Sequence, residues 1–118
     1  MKKLFFATVL VALSLTGARA APVNPKYNDS PVQCGATYFL IWKGYEQKNQ
    51  QAMAEVYRRK FESLAAKAAQ NLETRGLSKH HADAYMQDHI DKLAVLADTE
   101  TKAFVDFKEL CDSKFPEP

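Results

Sequence analysis

Two cysteines, Cys34 and Cys111, bracket a stretch of chain that contains no proline and only three glycines, Gly35, Gly44 and Gly76. Proline breaks helices and glycine weakens them, so such a stretch suits long helices and lacks the turn residues of a sheet protein. Pairing the two cysteines closes a loop of about 78 residues, for which chain entropy alone gives roughly 4 to 5 kcal/mol. A bridge between two chains is the competing use of the same pair.

Four apolar stripes recur at helical spacing within the loop. The first, over residues 32 to 47, holds Cys34, Tyr38, Ile41, Trp42 and Tyr45. The second, over 50 to 74, holds Met53, Tyr57, Phe61, Leu64, Ala68 and Leu72. Gly76 then suits a C-cap and Ser78 an N-cap. The third, over 79 to 97, holds Ala82, Met86, His89, Ile90, Leu93 and Ala97, and the fourth, over 100 to 113, holds Ala103, Phe104, Phe107, Leu110 and Cys111. The apolar phase also permits one helix through residues 97 to 101, but Asp98 and Thr99 are good N-cap residues and favour a break. A disulfide requires its Cα atoms within about 7 Å. The start of the first helix and the end of the last meet that condition when an even number of antiparallel helices is joined by short loops. The expected fold is therefore all-α, an up-down four-helix bundle closed by one disulfide.

The ends bound where the protein works. Lys2 and Lys3 precede a mostly apolar run from Leu4 to Leu15, followed by Ala18-Arg19-Ala20. This is the pattern of a signal peptide, residues 1 to 20, and implies Sec-type export to the periplasm, with secretion as the alternative. The apolar run is too short to span a bilayer. Residues 21 to 31, "APVNPKYNDSP", hold three of the five prolines and read as an extended tail ahead of a single domain over 32 to 118. Without the leader the chain carries 13 basic and 14 acidic side chains, so the basic pI of the precursor implies no affinity for nucleic acid. The charge is unevenly placed: residues 43 to 79 carry eight basic and four acidic side chains, whereas 80 to 118 carry four and nine. Attraction between adjacent helices accounts for this, and a bipolar surface that steers a charged partner is the other account.

The segment "KHHADAYMQDHID" gathers His80, His81, His89, Asp83, Asp88 and Asp91. His81 and His89 are separated by about 12 Å along a helix, and His80 with Asp83 supplies only two ligands, so no metal is expected. His89 falls inside the apolar arc and reads as a partly buried, hydrogen-bonded core histidine. Haem attachment, C-x-x-C redox chemistry, nucleophile elbows, phosphate loops and calcium loops all lack their signatures. No cofactor and no enzymatic activity are expected.

Cys34 followed four residues later by Tyr38, alanine-rich amphipathic helices, and Cys111 near the end resemble small all-helical periplasmic proteins of Gram-negative bacteria that carry a single cysteine pair. That resemblance implies no activity. The chain is also superficially similar to acid-stress periplasmic chaperones, which are small, helical and single-disulfide, although its cysteine spacing is much longer.

The first helix is apolar beyond its core stripe. Phe39 and Leu40 face away from that stripe, with Ala36 and Lys43 between or beside them. Either the tail or the overhang of the second helix covers them, or they form a partner-binding patch. The expected function is a protein-binding module of inhibitor, immunity or accessory type, whose partner is another exported or envelope protein or a second copy. An acid- or stress-responsive chaperone and a small enzyme or ligand carrier with a pocket in the bundle are the alternatives.

Overall fold

The computed structural model describes residues 29 to 116, which form four α-helices and no strand. They are α1 (Ser30–Gln47), α2 (Gln51–Glu73), α3 (Lys79–Thr99) and α4 (Thr101–Lys114). Cys34 and Cys111 are bonded, with their Cα atoms 5.5 Å apart. The all-α four-helix bundle closed by one disulfide is thus the architecture of the described chain. The leader and tail residues 21 to 28 lie outside the described residues.

Each connection has a local cause. Pro31 stands in the first turn of α1, where its missing N–H leaves no intrahelical bond unmade. The helix therefore starts at Ser30, and the last two residues of the expected tail belong to it. Asn49 adopts a left-handed conformation, φ 59°, between α1 and α2, and asparagine is among the few residues that do so at little cost. Gly76 takes φ 80° after α2. Ser78 then caps α3 as expected: its hydroxyl accepts from the His81 N–H while the His81 ring accepts from the Ser78 N–H. That reciprocal box normally uses Glu or Gln at the histidine position.

The break between α3 and α4 is a single residue, Glu100, at φ −139° and ψ 67°. Neither Asp98 nor Thr99 caps α4, contrary to expectation. Both lie inside α3, and the Thr99 hydroxyl donates back to the Val95 carbonyl, 2.8 Å away. The chain turns here although its local sequence permits continuation, and the turn is what returns Cys111 to Cys34.

Helix α1 is the central element. It packs against all three other helices, whereas α2 and α4 make no close backbone approach among the described residues. Three buried clusters each take residues from α1: Val32 with Leu72 and Tyr85, Ala36 with Met86 and Ile90, and Cys34 and Tyr38 with Tyr57, Leu64 and Cys111. A side chain at Gly35 would place its Cβ 2.9 Å from the Met86 methyl and 3.4 Å from the Leu64 Cβ, so the absence of one lets α1 approach both neighbours. A helix apolar almost all round is what a helix with three partners requires.

Three expected core positions are exposed, Ala103 of α4 among them. Met53 is 39% exposed in the opening turn of α2, where Ala54 takes the inner position, and Leu110 is 66% exposed on α4. Among the described residues the backbone of α4 closely approaches only α1 and α3, and Leu110 lies on its uncovered side.

Proline at Glu55, inside α2, should cost about 3 kcal/mol or more. Proline at Thr101, the first residue of α4, follows an extended residue and should be nearly neutral. Urea denaturation of both variants checks the break, and equal damage would mean a continuous helix. Reduction of the bridge should remove roughly 4 to 5 kcal/mol. Far-UV dichroism should still report helix, because the clusters around Val32 and Ala36 contain neither cysteine.

Candidate functional site

The expected patch on α1 is largely covered. Ala36 is fully buried against α3, and Leu40 packs on the same cluster with Met86 and Ile90. Phe39 sets its ring edge against Trp42 at 5.4 Å and Phe61 at 5.2 Å. Lys43 lies 4.3 Å over the Trp42 ring and bonds Glu46 at 3.3 Å. The cover is α3 together with Phe61 of α2, rather than the overhang of α2. What remains open is a cleft of about 250 Å³ between α2 and α3, bordered by Phe39, Phe61 and Met86.

A polar network surrounds the disulfide. The Tyr38 hydroxyl donates to Asp112 Oδ1 at 2.8 Å, and the Lys108 ammonium donates to Asp112 Oδ2 at 2.6 Å. Lys60 is 9% exposed, donates to the Phe115 carbonyl at 3.2 Å and sits 4.9 Å over the Tyr38 ring. Tyr57 packs on Tyr38 and stacks on Tyr45, each at 5.7 Å. Burial alone would raise the Asp112 pKa, but hydrogen bonds from Lys108 and Tyr38 and the charges of Lys108 and Lys60 hold it below the usual carboxylate value. Burial, then the Asp112 hydrogen bond, push the Tyr38 phenol up, so it stays protonated. Burial opposes the Lys108 charge, yet bonding to Asp112 and Tyr57 holds its pKa above the ordinary lysine value.

Lys60 directly follows Arg58 and Arg59, yet it alone of the three is buried. The spacing Tyr57, Lys60, Leu64 was the available signal, since three and four residues return to one helix face. The long lysine stem is apolar enough to be buried there while its head reaches a carbonyl.

The histidine segment is used structurally. His81 serves the α3 cap, Asp83 pairs with Lys79 at 3.0 Å, Asp88 with Lys92 at 2.9 Å, and Asp91 accepts from Gln87 at 2.9 Å. Among the described residues no group of three His, Cys, Asp or Glu side chains lies close enough to hold a metal. His89 is half-buried, as expected, and borders a groove.

That groove, about 450 Å³, runs between α3 and α4 and is lined by Leu93, Leu96, Ala103 and Phe107, with His89 and Lys92 at its edge and Gln33 of α1 below. Val95, Val105 and Leu110 on the same two helices are 62%, 42% and 66% exposed. The ion pairs of the described residues join positions three or four apart in one helix. Helices α3 and α4, with Glu100 between them, carry eight acidic and five basic side chains.

Leu40→Lys should destabilise the monomer by roughly 2 kcal/mol or more, because the ammonium would enter a packed contact. A depressed Asp112 pKa contributes stability that is full above about pH 4 and is lost as pH falls through the folded value. The raised Lys108 pKa contributes stability that is full below about pH 10 and is lost as pH rises through its folded value. Asp112→Asn should accordingly cost about 1 to 3 kcal/mol at neutral pH. Denaturation at stepped pH should show that difference shrinking toward zero under acid conditions. No family model, curated protein or solved structure matches this chain.

Proposed function

We propose that the chain is an exported, non-enzymatic protein-binding module of the periplasm that holds a basic amphipathic helix of another envelope protein between α3 and α4. The leader pattern and the disulfide support export, since such bridges persist in oxidising compartments. Among the described residues no helix is long and apolar enough to cross a membrane.

The observation that carries the binding reading is the α3–α4 groove. Its walls are apolar, its volume of about 450 Å³ takes several side chains, and the helices that form it carry exposed acids including Asp91, Asp98, Glu100 and Asp106. An amphipathic helix places residues spaced by three and four into such a groove, and the acidic excess of the two helices that form it favours basic flanks. A groove open along one side also suits a helix better than a compact ligand, which pockets normally enclose on most sides.

A photo-reactive side chain at Ala103, which is exposed and lines the groove, tests this in the exported protein. The expected adduct joins it to a basic, amphipathic segment of another exported protein and weakens as salt is raised. The same group at exposed Ala66 on α2 should give no such adduct. Equal products from both positions, or products with a second copy alone, would overturn the proposal.

A further inference from the structure

A smaller cavity lies between α2 and the end of α4. It measures about 190 Å³ and is bounded by Lys60, Ser63 and Lys67 of α2, by Lys114 and Phe115 at the end of α4, and by Tyr38 beneath. Three ammonium groups and a hydroxyl line it, and no acidic side chain is among its lining residues. Positions 60, 63 and 67 return to one helix face, and the far end of α4 closes the other side. Lys67 and Lys114 make no hydrogen bond or ion pair among the described residues, whereas most other lysines of the bundle are paired within their own helices. Asp112, which feels the Lys60 charge, spends both oxygens on Tyr38 and Lys108.

We infer that this cavity is a binding site for a phosphate group, either as a free phosphate or as the headgroup of an anionic lipid. The volume is below the roughly 300 Å³ at which pockets begin to enclose drug-sized ligands, which fits a small ion and a few waters. A dianion answers several converging ammoniums better than a single carboxylate does. Lys60 presents a charge that is held in place by the Phe115 carbonyl and the Tyr38 ring, so part of the site is already ordered. Lys67 and Lys114 are exposed at the mouth, and the Ser63 hydroxyl stands between Lys60 and Lys67 to donate a further hydrogen bond.

The test is a titration of the oxidised protein with inorganic phosphate at fixed ionic strength, followed by amide chemical shifts, with chloride as the control. Shifts should saturate in the millimolar range and cluster at Ser63, Lys67 and Lys114. Lys67→Ala should weaken binding by roughly threefold to fivefold, as expected for one exposed charge, and Lys67→Glu should abolish it. Both variants change an exposed side chain, so their dichroism and melting should match the wild type. Vesicles containing phosphatidylglycerol form the second arm: sedimentation that is lost in Lys67→Glu assigns the phosphate to a headgroup, and no sedimentation with saturable phosphate binding assigns it to the free ion. Linear shifts, the same response to chloride, or phosphate binding that survives Lys67→Glu would overturn the inference.

Discussion

The covalent link between Cys34 and Cys111 decides where α4 can lie, and much else follows from that position. Among the described residues the backbone of α4 closely approaches only α1 and α3, and a one-residue break at Glu100 joins it to α3. Short helices are marginal without packing, so α4 depends on being held. The bridge holds its far end against α1, and the polar contacts of that region assemble around it. Tyr38 reaches Asp112 because Cys111 has already brought its neighbour there. Lys60 reaches the Phe115 carbonyl for the same reason.

The central place of α1 follows from its sequence. Its buried positions point in several directions: Val32 and Ala36 toward α3 and Cys34 and Tyr38 toward α2 and α4. A helix with one apolar stripe settles against one neighbour or into one groove. With apolar residues on nearly every side and glycine at position 35, α1 becomes the axis on which the others are arranged. That arrangement leaves α4 half uncovered and opens the groove beside Leu93 and Phe107. The same excess of apolar surface that suggested a patch on α1 is thus consumed internally, and the open apolar surface appears two helices later.

Much of the fold was legible in the chain. Periodicity located four helices, Ser78 and Gly76 marked a true junction, and the two cysteines required the ends to meet. The start of α4 was less legible because Asp98 and Thr99 fit an N-cap and an ordinary helix interior equally well; tertiary constraint decided between them. The site was harder still. Helical wheels treat each helix as having one inside, and that fails for α1. They also assign a lysine to solvent, although Lys60 follows Tyr57 by three residues and is buried. Met53 and Leu110 erred in the other direction, since an apolar residue in phase with a stripe is buried only where a neighbouring helix reaches it.

The position of the bridge has a mechanical consequence. A pull applied at Asp29 and Pro116 runs along six residues to Cys34, crosses the sulfur bond, and runs along six more from Cys111. The chain between the cysteines bears no tension along that path. Stretched fully, the two short arms extend about 40 Å, whereas the same chain with its bridge open extends to about 300 Å. A motor or a translocating pore that threads the described chain from either end would meet a closed covalent ring after a few residues and must pass two strands at once or stop. In its oxidised form this small bundle therefore behaves toward end-directed force as a nearly inextensible knot of helices, and in its reduced form as an ordinary unfoldable chain.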